Sequence, residues 1–401
     1  MSRFPSGKER DRQRRDGLRD FILARIRQSG PVPFSRFMEW CLYHPDFGYY
    51  QSEGARVGRG GDYYTAPSVH PLFGCMVAKQ LLQMSELVGT ERFTVVEMGA
   101  GRGFLCRDIL DWARANAPAF YGRLDYRLVD RSRRFVGEQK ERLAPYAAEG
   151  KVSWEEECEG KPGEGMIDGC FLSNELVDAF PVHRVIFQGG RLREIYVGER
   201  DGDFLDVPGD LSTPEIGEYF RDDEVELEEG QEAEVNLHAR EWIGKVGCRL
   251  RKGFVLTIDY GCLAGELYAT WRSSGTIMCY YRHRASGDPY ERVGEQDITA
   301  HVNFSQLIRG GDAAGLSFTG LVPQYRFLIG LGLLGEMEKA AKTMSELEGM
   351  KMRLSLKHLI EPGVGMGEIF KVLVQHKGIE KPQLDGLRAF SSIGAPGGEG
   401  A

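Results

Sequence analysis

The stretch Val95-Val96-Glu97-Met98-Gly99-Ala100-Gly101-Arg102-Gly103 decides the fold class of this chain. Phe93, Val95, Val96 and Met98 are apolar β-formers and read as a buried strand, with a carboxylate near its end. Gly-x-Gly-x-Gly follows, and then a helical pattern through Leu105, Ile109, Trp112 and Ala113. Strand, glycine turn and helix make the first unit of a doubly wound α/β nucleotide fold.

The spacing of the glycines selects the ligand. A dinucleotide fingerprint needs a third glycine at position 104, and that position is Phe104. The tighter turn leaves little room for a pyrophosphate, so a nicotinamide oxidoreductase is disfavoured. It suits the aminoacyl end of S-adenosyl-L-methionine, with Glu97 meeting the α-ammonium directly or through water. The alternative is a tight strand–helix turn that holds no ligand.

Working outward, 401 residues call for one enlarged domain or two. The formal charge of −8 argues against a nucleic-acid binder that relies on a broad basic surface. No apolar run approaches the roughly 18 residues that span a bilayer. The cysteines are scattered without Cys-x-x-Cys, and the histidines lack ligand spacing, so neither a metal site nor a disulfide framework is expected. The arginine-rich start, Met1 to Arg27, is interrupted by Glu9, Asp11, Asp16 and Asp20, unlike a transit peptide. It reads as a solvated arm leading into a helix with Leu18, Phe21, Ile22 and Ile26 on one face. A bacterial cytoplasm is the expected compartment, with the mitochondrial matrix as the alternative.

Phe34–Tyr43 and Leu72–Val88 read as helices, and Gly54–Gly61 as a mobile glycine-rich loop. Further strands are expected at Tyr126–Val129, Val152–Trp154, Gly169–Leu172, Phe254–Ile258 and Glu368–Gln375. Residues 183–207 alternate like inserted antiparallel hairpins. The acidic run Asp222–Glu234 reads as a solvated loop, and the polar, aromatic sequence from 262 to about 303 as loop. Helical patterns resume near Phe304 and from Phe327 to Leu359, and the glycine-rich tail is expected to be disordered.

Several strands end in a polar residue: Glu97, Asp130, Asn174-Glu175 and Asp259. In a parallel sheet those ends are where ligands bind. Asp130 can accept hydrogen bonds from ribose hydroxyls or cap the next helix. Asn174-Glu175-Leu176-Val177 stands where many base-methylating enzymes carry Asn/Asp-Pro-Pro-aromatic. A glutamate there can grip a guanidinium bidentately or cap a helix. His283 and His301, with Asp297, are candidates for a general base, or are structural.

Longer segments resemble one family. These are Phe37-Met38 with Leu42-Tyr43, Pro45-Asp46-Phe47-Gly48-Tyr49-Tyr50 and Gly61-Asp62-Tyr63-Tyr64-Thr65-Ala66-Pro67 with Leu72-Phe73-Gly74. Then come Glu97–Gly103, Asp108-Ile109-Leu110, Ser173–Val182, Ile258-Asp259-Tyr260-Gly261, Gly294–Phe304 and Phe370-Lys371-Val372-Leu373. The ordered set, Asn-Glu-x-x-Asp-Ala and Asp-Ile-Thr-Ala-His-Val included, resembles the MidA-like class I S-adenosylmethionine-dependent methyltransferases. Mitochondrial members of that family are complex I assembly factors that form symmetric dimethylarginine on a complex I subunit. Asp130 departs from the family's usual glutamate, Asn303 from aspartate and Tyr63 from phenylalanine.

The resemblance implies an α/β, Rossmann-like class I methyltransferase with a seven-stranded, mostly parallel sheet and helices on both faces. An N-terminal helical extension and inserted antiparallel and loop elements would complete it. The expected division is residues 1–75 as arm, helices and cofactor-covering loop, 76–382 as methyltransferase domain with insertions at about 183–250 and 262–303, and 383–401 as disordered tail. Cofactor contacts are expected from Glu97, Gly99, Gly101, Gly103, Asp130 and Asn174, with Gly61, Asp62 and Thr65 as a lid. Glu175, Asp259 and His301 would orient the acceptor. The expected activity is methylation of an arginine on a protein substrate. The alternatives are an assembly chaperone that keeps the fold with little catalysis, and a small-molecule methyltransferase. The sequence does not set the oligomeric state.

Overall fold

The computed structural model describes residues 7–52, 69–155, 166–361 and 366–388. The sheet that positions everything else has seven main strands: β1 (Phe93–Met98), β2 (Leu124–Val129), β3 (Val152–Glu155), β4 (Ile167–Asn174), β5 (Leu250–Cys262), β6 (Ser317–Pro323) and β7 (Phe370–Lys377). Their order is β6-β7-β5-β4-β1-β2-β3, with β7 alone antiparallel to its neighbours. A two-residue strand, Val302–Asn303, continues the sheet beside the end of β5.

β1 lies inside the sheet and is buried along its whole length, which is why it reads as an almost unbroken apolar run. Its side chains alternate between two cores. Phe93 and Val95 pack with Phe73, Val77 and Leu81 of helix α3 (Leu72–Val88) and with Leu105 and Ile109 of α4 (Phe104–Asn116). Val96 and Met98 face the other way, against Trp242, Ile243 and Val246 of α6 (Leu237–Arg249) and Phe304 and Leu307 of α7 (Phe304–Ala313). Each such valine, fully buried, contributes roughly 1.5–3 kcal/mol. Helix α5 (Arg133–Arg142) joins β2 to β3.

A third core ties the N-terminus to the insertions. Leu18, Ile22 and Ile26 of α1 (Gly7–Ser29) and Phe34, Phe37 and Met38 of α2 (Phe34–Tyr43) pack on Val182, Val197, Cys279 and Ile298. The inserted hairpins are formed by His183–Gln188, Arg191–Arg200 and Asp203–Gly209. Val32–Pro33 adds to their edge, with Val32 opposite Val197.

Four expectations are corrected. The end of the acidic run is a strand, Glu232–Val235, and the buried Glu234 carboxylate accepts hydrogen bonds from the Thr276 backbone N–H (2.9 Å) and hydroxyl (2.8 Å). The segment read as loop to residue 303 holds a small sheet of Met278–Tyr281, Arg284–Ser286 and Asp297–Thr299. β6 was not anticipated, because an edge strand that stays half-exposed shows no apolar alternation. β7 begins two residues later than read, since Met366–Ile369 forms a helical turn.

The tail also begins later than expected. Leu384 is buried, and the Asp385 and Gly386 N–H groups donate to Gln83 Oε1 (2.9 Å) and Gln80 Oε1 (3.1 Å) on α3. The remainder, 389–401, lies outside the described residues. Among the described residues no helix is long and apolar enough to cross a membrane.

Candidate active site

A cavity of about 450 Å³ opens at the carboxyl ends of β1, β2 and β4, the size of a small-ligand site. Its floor is the glycine turn. Gly99 has φ of +69° and donates its N–H to Val129 O at 2.8 Å, which bends the chain sharply off β1. A Cβ on Gly99 would lie 2.7 Å from Leu176 Cδ1, so the side chain is excluded by packing as well as by φ. Gly101, at φ +51°, donates its N–H to Asp130 Oδ2 at 3.0 Å. A Cβ there would meet nothing within 4 Å, so this glycine presents bare backbone to open space in the cavity.

Gly103 differs. It is the left-handed N-cap of α4, and a Cβ on it would meet Gln139 Cγ at 3.3 Å and Leu143 Cδ1 at 3.4 Å. It does not line the cavity. Its expected contact with cofactor is corrected to a packing and capping role.

Two carboxyl groups stand beside the turn. Glu97 is 3% exposed, and its Oε2 accepts the Tyr126 hydroxyl at 2.7 Å. Burial pushes its pKa up to about 8, the tyrosine hydrogen bond opposing this. Asp130 accepts from Ser132 N (2.9 Å), Gly101 N (3.0 Å) and Gln139 Nε2 (3.1 Å). Burial raises it to about 6 despite these bonds. A carboxylate has about four acceptor positions, so it retains capacity for a hydroxyl donor. The residue that caps α5 is Ser132, whose Oγ accepts from Phe135 N.

Asn174 and Glu175 form the opposite wall. Asn174 Nδ2 donates to Glu175 Oε1 at 2.9 Å, while its buried Oδ1 has no partner among the described residues. Glu175 sits at φ +52°, a conformation that a non-glycine residue adopts at a cost of about 1–3 kcal/mol. No helix follows it, so the helix-cap reading fails.

Asp259 is corrected from acceptor ligand to positioning residue. It is fully buried and outside the cavity wall. Its Oδ2 accepts the backbone N–H groups of Leu176 (3.2 Å), Val177 (2.9 Å) and Asp178 (3.4 Å), and its Oδ1 that of Tyr260 (2.9 Å). It therefore holds the turn that carries Glu175.

His301 is likewise removed from the acceptor set. Its ring packs edge-on against Tyr260 at 5.3 Å, away from the cavity wall, and burial lowers its pKa to about 4, leaving it neutral near pH 7. His283 lies in the turn of a hairpin at φ +61°. Asp297 is buried in a strand and accepts the Tyr50 hydroxyl at 2.8 Å. Gly61, Asp62 and Thr65 lie outside the described residues.

Other wall residues had no role in the sequence reading. Tyr43 and Tyr50 come from the N-terminal extension, and the Tyr43 hydroxyl donates to Ala179 O at 2.9 Å. Both stand in segments that carry the family resemblance, Leu42-Tyr43 and Pro45–Tyr50, a visible but unassigned signal. Trp242 comes from α6, and its Nε1 points at Met98 Sδ, 3.3 Å away. The spacing of Trp242, Ile243 and Val246 after the capping Asn236 could have revealed that helix.

The electrostatics beyond Glu175 are negative. Burial raises Asp178 to about 6, and burial, with Asp178 beside it, pushes Asp259 well above the usual carboxylate range. After burial, Asp178, Asp297 and Glu175 push the Tyr280 hydroxyl upward.

Residues 76–322 match a family model described as "Putative S-adenosyl-L-methionine-dependent methyltransferase". The chain belongs to this family. A Burkholderia thailandensis protein crystallised with S-adenosyl-homocysteine shares the architecture with a TM-score of 0.85 and 30% identity, over 96% of this chain and 97% of that one. A native crystal structure from the same organism gives 0.81 and 30%, over 96% and 98%. Among curated proteins, the Caenorhabditis elegans "Protein arginine methyltransferase NDUFAF7 homolog, mitochondrial" is 29% identical over 72% of this chain and 70% of its own length. The Drosophila melanogaster protein of the same name is 26% identical over 91% and 86%.

This methyltransferase uses S-adenosyl-L-methionine, and the cavity fits that group. The bare backbone at Gly101 allows close approach, and the buried, unpartnered Asn174 Oδ1 awaits a donor. Glu97 can take the ammonium and Asp130 the ribose hydroxyls. The cofactor supplies the electrophilic methyl group.

If Glu97 takes the cofactor ammonium, cofactor binding becomes pH-dependent. Its folded pKa, about 8, lies above that of the unfolded chain. Its protonated form therefore favours the fold at low pH, and this contribution is lost as pH rises through about 8. An ammonium beside it favours the ionised form, so binding at pH 7 expels a proton. Calorimetry of cofactor binding in buffers of different ionisation enthalpy should show proton release at pH 7 in the wild type and none in Glu97→Gln. Equal release by both would place the proton elsewhere.

Proposed function

We propose that this methyltransferase acts on the guanidinium of an arginine side chain of a protein. The observation that carries the reading is the negative, tyrosine-edged environment beyond Glu175, built by Asp178, Asp259, Asp297, Tyr50 and Tyr280. A cation is the physical complement of that environment. Glu175 lies at the junction of this region and the cofactor wall, on a backbone held at positive φ. A carboxylate there can hold a guanidinium through paired hydrogen bonds and fix one nitrogen toward the methyl donor. Positioning is the larger part of catalysis here, because a sulfonium is a good leaving group. The proton that the methylated nitrogen sheds can pass to a neighbouring carboxylate. The names of the NDUFAF7 relatives support the same substrate class and a protein partner. Their mitochondrial designation supports the second of the two compartments considered.

The direct test incubates the protein with labelled S-adenosylmethionine and a lysate from cells that lack it, followed by mass spectrometry of the labelled product. Label on arginine of a protein is the expected result. Label on a small molecule, on another side chain or nowhere would overturn the reading. Glu175→Gln keeps size but removes a charge-assisted pair worth about 1.5–3 kcal/mol. Methyl transfer should fall roughly tenfold or more, with cofactor affinity nearly unchanged. Transfer at the wild-type rate would move the acceptor-gripping role away from Glu175.

A further inference from the structure

The site described above leaves one helix face unused. Helix α9 (Glu346–Ile360) packs inward through Gly349, Met352, Leu356 and Leu359. Its opposite face exposes Leu347 (62%), Met350 (56%) and Leu354 (55%). Single exposed leucines are ordinary on a protein surface. Three large apolar side chains at intervals of three and four residues are the seam spacing by which helices pair. The charge along α9 is also polarised. Glu346 and Glu348 stand in its first turn, with Lys351, Arg353 and Lys357 beyond them. Glu346, Arg353 and Lys357 are spaced by seven and four residues, so they flank the seam on one side.

We propose that two copies of this chain pair through α9, antiparallel about a two-fold axis near Met350. That arrangement sets Leu347 of each copy against Leu354 of the other. It also places Glu346 of one copy beside Arg353 and Lys357 of the other, twice over. Lys357 already faces Glu361 at 3.3 Å, but that pair is exposed and worth little, so it can exchange partners. A two-fold contact of this kind is closed and self-complementary. The seam from Leu347 to Leu354 is only about 10 Å long, so the dimer is weak.

Sedimentation velocity of the full chain from about 1 to 100 µM tests this. The wild type should shift from monomer to dimer across the range. The double variant Leu347→Glu with Leu354→Glu should remain monomeric at every concentration, with melting temperature and cofactor affinity unchanged, since both side chains are exposed. Glu346→Lys alone should weaken association at least roughly fivefold, the loss of two rim pairs. Adding Arg353→Glu and Lys357→Glu to it should restore the wild-type constant, because the complementarity is reversed on both copies. A wild type that stays monomeric would overturn the proposal and leave the stripe to a different protein. A dimer that survives the two glutamates would place the interface elsewhere. Failure of the charge reversal to restore association would exclude the antiparallel geometry.

Discussion

Gly101→Val is expected to abolish S-adenosylmethionine binding while the protein stays folded. A Cβ at this position meets no atom within 4 Å beyond its chain neighbours. The valine would therefore not be expelled by a clash but would stand in the cavity itself. At φ +51° a β-branched residue is also strained, by about 1–3 kcal/mol. Calorimetry should show affinity reduced by more than about 100-fold, equivalent to roughly 2.7 kcal/mol. The strain should lower the melting temperature by only a few degrees. Gly101→Ala, with a smaller side chain and less strain, should fall between the two. A valine variant that binds with wild-type affinity would show that the cofactor does not approach this turn.

Asp259→Ala should produce the largest loss of stability in the site. The carboxylate accepts from three consecutive backbone N–H groups, at Leu176, Val177 and Asp178, the last two in fully buried pairs. Removing it leaves those donors unpaired, each at about 1–3 kcal/mol. Relief of the repulsion between Asp259 and Asp178 offsets part of this. A net loss of about 3–5 kcal/mol should lower the melting temperature by roughly 6–10 °C. Cofactor affinity and methyl transfer should fall together, because the loosened turn carries both the cofactor wall and Glu175. Asp259→Asn retains an oxygen acceptor and should recover most of the stability. If Asp259 instead gripped the acceptor, the alanine variant would melt like the wild type and lose transfer alone. Comparison with Glu175→Gln separates the two roles, since that variant should lose transfer with cofactor binding nearly intact.

The parts legible from sequence share a short range. The apolar run Phe93–Met98, the glycines at 99, 101 and 103 and the polar strand ends each act within a few residues of themselves. Side-chain periodicity reports burial directly, so Phe34–Tyr43 and Leu72–Val88 were placed to the residue. The glycine spacing excluded a dinucleotide because backbone conformation at a turn is local. The ordered set of matching segments added the seven-stranded, mostly parallel architecture and the cofactor.

The tertiary structure decided which of those polar residues face the cavity. Gly103 resembles Gly101 in sequence and in φ, yet Gln139 and Leu143 of a later segment occupy its open side. Asp259 follows the apolar run Phe254–Ile258 much as Asp130 follows β2, but it lies inside β5, where the turn after β4 folds back over it and occupies its Oδ2. His301 is a common type of base whose neighbours bury it until it is neutral. Edge strand β6 and the acidic strand Glu232–Val235 gain their conformation from partners distant in the chain, so no local pattern announces them. Local conformation follows from neighbours in sequence, whereas burial, charge state and access to a ligand depend on residues that only the folded chain brings near.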